Sequence, residues 1–461
     1  MALFSFVADD LTGASDVLAQ AHRYGLEAVL VMGDAPLPAD ADVVGIAGPA
    51  RSLGGAAFDT RVRADLARLA ATPSEVLLYK VCSTFDSSPT TGSIGRGIDL
   101  LHERFPDHGP IAVAPAQPGF GRYTAFSDHY AAHAGAVYRL DRHPVMSSHP
   151  STPMHEADLR QVLATQLQHD APFEDGTQRE DGVPVGSIHL PAYDTGAFGE
   201  AWAQQRAGTG MPAFVVDAVS DAHLDVVAAA LRSDAQRRSP AIVVGSGGIM
   251  AALARTVTST ETLPRPLPSA SGPVLAVSAS ASSVTAAQLQ DAVDHGWIDV
   301  PVDPALLHGP DPAQHAGPVE QVSAALADGH HVVVHTTRGG TDPRYAATGP
   351  LDAAYVGTLL GGIAAAMAGA GLTRDIAVLG GDTSSHALTA MGVRELRVTD
   401  QFVTAAPICR ADEAAAVAGC RLVLKGGQVG PIDLLRRFAG DTATSSTTDS
   451  VNHRKATPCE Q

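Results

Sequence analysis

A chain of 461 residues exceeds what one hydrophobic core usually supports, so its length favours two domains. Hydrophobic residues make up 45% of the chain and aromatic residues only 5%, so Ala, Val, Leu and Ile must fill the interior, as in parallel sheets covered by helices. Asp and Glu outnumber Lys and Arg by 49 to 31, and the net charge of −18 argues against nucleic acid or a membrane as a partner.

The cysteines and the N-terminus bear on the compartment. The four cysteines are far apart and form no CxxC pair, which argues against a disulfide framework or a zinc site. The N-terminal sequence MALFSFVADDL has no basic segment and too short an apolar run for a signal peptide. No stretch approaches the ~20 apolar residues of a spanning helix. These features predict a cytoplasmic protein.

Short runs rich in Val, Ile and Leu alternate with Ala-rich segments of helical period, which predicts βαβ units. The predicted strands are residues 3–8, 28–32, 43–47, 76–81, 111–114, 214–216 and 242–244, followed by 274–277, 331–335, 377–379 and 422–424. We therefore predict an α/β fold of two domains, each a largely parallel sheet flanked by helices, with a ligand cleft between them. The domains are residues 1–258 and 273–440, joined by a Pro- and Ser-rich linker at 259–272 and followed by a disordered tail at 441–461.

Two adjacent carboxylates, Asp9 and Asp10, follow the first predicted strand and precede a helix. In open α/β sheets ligands bind at this carboxyl edge. Asp10 or Thr12 could instead serve as the helix cap. Since one cap needs only one acceptor, we favour a catalytic base or a metal-linked role for this pair.

A second cluster follows the strand at residues 76–81 and contains Lys80, Ser83 and Asp86. A cation and hydroxyl donors beside a helix N-terminus can hold a carboxylate, although a lone lysine is often a surface or paired residue. Arg51 follows the strand at 43–47, and its planar guanidinium suits bidentate binding of a carboxylate.

Three turns rich in small residues follow strands of the second half, where the backbone can approach phosphate oxygens closely. No GxxxxGK[ST] sequence and no strand-linked GxGxxG sequence occurs, so neither a P-loop nor a dinucleotide fold is indicated. Three such turns in one domain favour a nucleotide, and Asp382 could reach Mg²⁺ or a ribose. The candidate residues are Ser280, Gly380, Gly381, Asp382, Thr383 and Gly426.

These motifs, in this order, resemble the four-carbon acid sugar kinase family, whose members phosphorylate threonate, erythronate and 3-oxo-tetronate type acids. The resemblance spans nearly the whole chain. It rests on VADDLTGA (7–14), KVCSTFDS (80–87), APAQP (114–118), TPM (152–154), VDA (216–218), GSGG (245–248), GGDTS (380–384) and LKGG (424–427).

The resemblance implies an ATP- and Mg²⁺-dependent kinase that acts on a hydroxyl of a small sugar acid. It implies an N-terminal domain that binds the acid and a C-terminal domain that binds ATP. Asp9 or Asp10 would be the catalytic base, Asp382 would bind Mg²⁺, and the other candidates would bind substrates. Those binding the acid would be Arg51, Lys80, Ser83 and Asp86, and those binding the nucleotide Ser280, Gly380, Gly381, Asp382, Thr383 and Gly426.

Three questions stay open at this point. The CSTFD sequence at 82–86 resembles the 3-oxo-tetronate kinase branch, whereas extra residues at 146–151 leave a branched acid such as 3-oxo-isoapionate as an alternative. A catalytically silent protein of the same fold that binds a nucleotide or metabolite is another alternative. The oligomeric state is the third open question, and a homodimer is one alternative.

Overall fold

The computed structural model describes residues 2–149, 151–168, 183–258, 260–262, 267–307, 316–344 and 351–441. The strands in these residues are β1 (Ala2–Ala8), β2 (Ala28–Val31), β3 (Val43–Ala47), β4 (Ser74–Lys80), β5 (Ile111–Ala114), β6 (Arg122–Ala125), β7 (Asp128–His133), β8 (Ala136–Arg139), β9 (Gly186–Ile188), β10 (Ala213–Val216), β11 (Ala241–Gly245), β12 (Val274–Ser278), β13 (Ile298–Pro301), β14 (Val332–His335), β15 (Asp375–Leu379), β16 (Glu395–Val403), β17 (Ala406–Ala411) and β18 (Arg421–Lys425).

The same residues form helices between these strands. They are α1 (Leu11–Arg23), α2 (Gly55–Ala70), α3 (Ile94–Arg104), α4 (Leu159–Ala164), α5 (Pro191–Asp194), α6 (Phe198–Ala207), α7 (Asp221–Arg237), α8 (Gly247–Arg255), α9 (Ser283–Asp294), α10 (Ala316–Ala327), α11 (Ala353–Gly369), α12 (Asp382–Ala390) and α13 (Leu434–Ala439). None of these helices is long and apolar enough to cross a membrane.

Most strands belong to one sheet with the order β13-β14-β12-β15-β18-β17-β16-β2-β3-β1-β4-β11-β5-β10-β9. The strands from β2 to β9 in this order are parallel to one another, and we call them the N-terminal block. The strands from β13 to β18 are also parallel and form the C-terminal block. A separate small antiparallel sheet consists of β6, β7 and β8. The predicted α/β fold with largely parallel sheets flanked by helices is confirmed.

The hairpin of β16 and β17 joins the two blocks. Strand β16 pairs antiparallel with β2, with Leu396 opposite Leu30, and β17 pairs antiparallel with β18. Three antiparallel pairings in succession reverse the strand direction between the blocks. Strand β16 also has register shifts between Val398 and Val403, and such bulges bend a strand and increase its twist.

Helix α1 lies between the blocks. It packs on α8 of the N-terminal block and also contacts β16, β17, β18 and α12. Contact on several sides explains why nearly all its residues from Leu11 to Ala21 are buried. The Gln401 side chain of β16 donates a 2.9 Å hydrogen bond to the Ala19 carbonyl near the middle of the helix. Helix α1 is therefore held against both halves of the chain.

The predicted domain limits, residues 1–258 and 273–440, remain predictions. Parts of the predicted linker, residues 259 and 263–266, lie outside the described residues. The predicted disordered tail lies outside them from residue 442 onward.

Two adjacent glycines of α11 provide a matched test of the contact between α11 and α12. A methyl group at Gly361 would overlap the Ala387 carbonyl oxygen and lie 2.7 Å from Ala387 Cα, whereas one at Gly362 would meet nothing within 4 Å. We expect Gly361→Ala to lower the free energy of unfolding by about 1–3 kcal/mol. Gly362→Ala should raise it by about 0.4–1 kcal/mol. Urea unfolding of both variants measures the difference, and equal effects would contradict this packing.

Candidate active site

Three strands of the N-terminal block carry charged residues at or just after their carboxyl ends, and the structure brings these residues together. Arg51 lies between the two adjacent carboxylates. Its Nε and Nη2 atoms are each 3.3 Å from an oxygen of Asp9, and its Nη1 atom is 3.0 Å from Oδ2 of Asp10. Both carboxylates are buried. The predicted acid pair and the predicted cation thus form one ion-pair cluster.

Asp10 caps helix α1. Its Oδ1 atom accepts a 2.7 Å hydrogen bond from the Gly13 amide, and its Oδ2 atom accepts one of 2.7 Å from the Thr12 hydroxyl. The capping role that the sequence allowed for Asp10 is therefore present. Together with the Arg51 contact, these bonds occupy both oxygens of the Asp10 carboxylate.

Asp9 makes no such cap. Burial raises the pKa of Asp9 to about 6, with Arg51 opposing the shift and Asp10 adding to it. A carboxyl group with this pKa can accept and release a proton near neutral pH, which is the property of a general base.

Asp86 is held in its charged form. Its Oδ1 atom accepts a 2.6 Å hydrogen bond from Thr84, and its Oδ2 atom lies 3.4 Å from the hydroxyl of Thr152. Burial opposes ionisation, but the Arg51 charge and the Thr84 hydrogen bond lower the pKa of Asp86 to about 2. Phe85 lies between Thr84 and Asp86 in the sequence and has a φ of 55°, an unusual backbone conformation for a bulky residue.

Lys80 is also buried, with only 2% of its surface exposed. Its Nζ atom donates a 2.6 Å hydrogen bond to the Val81 carbonyl. A methyl group at Gly13 would lie 2.8 Å from this Nζ atom, so the lysine lies against the first turn of α1. The Ser83 carbonyl accepts a 2.8 Å hydrogen bond from His129, which fixes the chain on the other side of the motif.

The glycine turns of the C-terminal block meet the first turn of α1. A Cβ atom at Gly381 would lie 3.8 Å from both Asp10 Oδ2 and Thr12 Oγ1, and one at Gly426 would lie 3.7 Å from Thr12 Oγ1. Gly380 has a φ of 128°, a conformation that favours glycine. Residues from the two halves of the chain therefore share one site.

The remaining nucleotide candidates lie beside this contact. A Cβ atom at Gly427 would lie 2.9 Å from Ser280 Oγ, which places the serine turn against the Gly426 turn. Helix α12 begins at Asp382, and no side chain caps its N-terminus at Gly381 in the described structure. The side chains of Asp382 and Thr383 lie outside the described part of the chain.

Several residues outside the predicted set of site residues shape this site, and Thr12 had been weighed only as a helix cap. Thr84 and Thr152 hold Asp86, and Thr12 faces both glycine turns. Lys425 is fully buried behind the Gly426 turn. The sequence did contain a signal for Lys425. Like the candidate residue Lys80 at the end of β4, it ends an apolar strand, and paired glycines follow it directly.

Two family models match this chain. Residues 4–253 match a sugar-binding N-terminal domain, and residues 275–435 match a nucleotide-binding C-terminal domain. By these matches the chain has one sugar-binding and one nucleotide-binding part, which correspond to the N-terminal and C-terminal blocks.

Characterised relatives align over nearly the full length. The 3-oxo-isoapionate kinase of Paraburkholderia graminis is 35% identical, with 93% of this chain and 92% of the relative covered. The 3-oxo-tetronate kinase of Cupriavidus necator is 29% identical, covering 95% and 98%. The D-threonate kinase of Bordetella bronchiseptica is 29% identical, covering 94% and 96%. The chain belongs to the four-carbon acid sugar kinase family.

Solved structures support the same fold. A protein from Salmonella typhimurium LT2 superimposes with a TM-score of 0.74 at 21% identity, over 94% of this chain and 98% of that one. A Haemophilus influenzae protein superimposes with a TM-score of 0.67 at 22% identity, over 95% and 99%.

The raised pKa of Asp9 predicts a pH-dependent cost in stability. The native state keeps the Asp9 proton up to about pH 6, whereas the unfolded chain releases it near 3.8, so stability falls as pH rises through this window. We expect the stability of Asp9→Asn relative to wild type to increase by up to roughly 3 kcal/mol between pH 4 and pH 7.

Urea unfolding at a series of pH values measures this change. Asp59→Asn is the matched control, because pairing with Arg96 lowers the pKa of Asp59 and removes its titration from this window. A pH-independent difference between Asp9→Asn and wild type would contradict the assignment.

Proposed function

We propose that this protein is an ATP-dependent kinase that phosphorylates a hydroxyl group of a small sugar acid. The four-carbon candidates are 3-oxo-tetronate, threonate and erythronate. The observation that carries the proposal is the close approach of Asp10 and Thr12 to the glycine turns at Gly381 and Gly426. A kinase needs its acceptor and its nucleotide phosphates at one place, and this contact supports such a site.

On the acid side, Arg51 and Lys80 are the proposed partners of the substrate carboxylate. The contacts with Asp9 and Asp10 occupy one N–H donor on each of the three guanidinium nitrogens of Arg51. Since a guanidinium has five N–H donors, two are left. The remaining donors can bind a carboxylate. Ser83 and the charged Asp86 are the proposed partners of substrate hydroxyl groups, since a carboxylate accepts hydroxyl hydrogen bonds.

Asp9 is the proposed base. Its pKa of about 6 leaves it mostly deprotonated at neutral pH yet able to take the proton of the attacking hydroxyl. Asp10 is less suited to this step because the helix cap and Arg51 occupy its oxygens. Its proposed role is to orient Arg51 and the first turn of α1. The transfer itself is direct and in line, with positioning supplying most of the rate.

On the nucleotide side, the amide groups at the uncapped N-terminus of α12 and in the Gly426 turn are the proposed phosphate donors. Ser280, Gly380, Gly381 and Thr383 complete the proposed binding set. The described residues contain no group of three His, Cys, Asp or Glu that could hold a metal by itself.

Mg²⁺ is held in many kinases by one or two carboxylates together with substrate phosphates. Asp10 Oδ2 and Thr12 Oγ1 lie beside Gly381 and are oxygen donors of the kind that this pattern requires. Asp382, the first residue of α12, is the proposed ligand. When bound with ATP, the ion neutralises phosphate charge.

A branched acid is the second candidate substrate. The observation that favours it is the 35% identity to a 3-oxo-isoapionate kinase, compared with 29% to the 3-oxo-tetronate and D-threonate kinases. A silent protein that only binds nucleotide would retain the C-terminal site but show no turnover.

The deciding experiment is a coupled assay of ADP release with ATP, Mg²⁺ and a panel of acids. The panel contains 3-oxo-tetronate, both tetronates and 3-oxo-isoapionate. We expect turnover that depends on the acid and falls by at least about 100-fold in Asp9→Asn, because a general base contributes roughly 10²–10⁴-fold. ATP binding without turnover on any acid would favour the silent alternative.

The two sides of the site should respond differently to mutation. Arg51→Ala should mainly raise KM for the acid, whereas Asp382→Ala should mainly weaken the use of Mg·ATP. Each lost charge-assisted contact should cost about 1.5–3 kcal/mol. Steady-state kinetics with each substrate varied in turn measure this division, and an Arg51→Ala variant altered only in its ATP dependence would contradict it.

A further inference from the structure

Lys425, the last residue of β18, is completely buried directly behind the turn of residues 426–430. Its Nζ atom is 2.9 Å from Thr285 Oγ1, 3.2 Å from the Gly427 carbonyl oxygen and 3.4 Å from the Val429 carbonyl oxygen. All three acceptors are neutral. No ion pair joins Lys425 to a carboxylate in the described part of the chain.

The turn directs its carbonyl groups toward Lys425 and helix α9. Ser282 and Thr285 each donate a hydroxyl hydrogen bond to the Gly427 carbonyl, at 2.7 and 2.9 Å. The Gln288 amide nitrogen, which has two N–H donors, lies 3.1, 3.2 and 2.8 Å from the carbonyl oxygens of residues 429–431. Donors on α9 and on Lys425 therefore fix the peptide planes of this turn.

The orientation of the carbonyl groups sets the orientation of the amides. In a trans peptide the C=O and N–H bonds point in opposite directions. The amides that follow the Gly427 and Val429 carbonyls therefore point away from α9. The Gly426 backbone lies on the side of Thr12, where a Cβ atom would be 3.7 Å from the threonine hydroxyl. Turns that present amide groups in this way bind anions.

We propose that Lys425 is a positioning residue for the nucleotide phosphates, and that its protonation and phosphate binding promote each other. Its ammonium group holds the turn from behind and adds a positive charge that acts through the turn rather than by contact. The inference rests on the proposed nucleotide site. Since linkage is reciprocal, a bound phosphate must in turn favour the charged lysine.

The surroundings of Lys425 make this charge sensitive to pH. Burial lowers the pKa of Lys425 to about 7. The groups that face it are neutral: Thr285 and Gln288 from α9, the turn carbonyls, and Leu379, its partner on β15. Asp291 on α9 and Arg436 on α13 pair with each other at 2.8 Å, and neither forms an ion pair with Lys425. Above pH 7 the free protein loses the charge, whereas the complex retains it, so nucleotide affinity should fall as pH rises.

Isothermal titration calorimetry with Mg·ADP at pH 8, in two buffers of different ionisation enthalpy, measures the protons taken up on binding. Nucleotide phosphates ionise with a pKa of about 6, so ADP itself contributes little at this pH. We expect wild type to take up at least about half a proton per ADP, because a tenfold effect on affinity at pH 7 corresponds to a pKa of Lys425 that rises from about 7 to slightly above 8 in the complex. Lys425→Met should take up none and bind ADP at least about tenfold more weakly at pH 7.

Two further variants distinguish loss of the positive charge at residue 425 from a general disturbance of the fold. Lys425→Arg keeps a charge that does not titrate, so it should bind ADP without proton uptake and with an affinity that is constant from pH 7 to pH 9. Arg437→Gln removes an exposed cation from the same half and should behave as wild type. Thermal unfolding of each variant establishes that it is folded, and Lys425→Arg decides the question if Lys425→Met does not fold.

The outcomes are distinct. ADP binding by wild type without proton uptake, or with the same uptake in Lys425→Met or Lys425→Arg, would overturn the role of Lys425 and leave the kinase proposal intact. No ADP binding by folded wild type would overturn the nucleotide site itself, and the inference with it.

Discussion

The antiparallel pairing of β16 with β2 is the constraint on which the rest of the structure depends. It joins two parallel blocks whose strands run in opposite directions, so a flat sheet would place their carboxyl ends at opposite edges. The carboxyl ends nevertheless come close together, because a Cβ atom at Gly381 would lie 3.8 Å from Asp10 Oδ2, and α1 contacts β18 and α12. The register shifts in β16 are irregularities of the kind that bend a strand, and α1 contacts elements of both blocks beside it. The active site is thus a product of long-range topology.

Much of the fold was readable from local sequence. Parallel strands buried on both faces require continuous apolar runs, and such runs located most strands of the two blocks. The candidate site residues could also be predicted from local sequence, because a polar cluster that follows an apolar strand lies at the carboxyl edge of the sheet. The alternative role of Asp10 as a helix cap followed from the same short-range rules.

Other features depend on contacts between residues distant in sequence, which no local pattern encodes. The hairpin of β16 and β17 contains the polar sequence Thr399-Asp400-Gln401, and its pairing with β2 spans more than half of the chain. Arg51 was predicted to hold a substrate carboxylate, but its pairing with both carboxylates emerges only when β1 and β3 lie side by side. The burial of Lys425 likewise depends on α9, which begins 142 residues earlier at Ser283.

The shared sheet also bears on how independent the two halves are. Separate family models match them, which suggests that each could be expressed alone. Yet β2 and β16 supply each other's hydrogen-bonding partners, so a cut between the halves leaves an unpaired strand edge on both fragments. Exposed edges of this kind recruit other strands and promote aggregation. The two halves can be recognised separately in the sequence, but each needs the other to cover its strand edge and avoid aggregation.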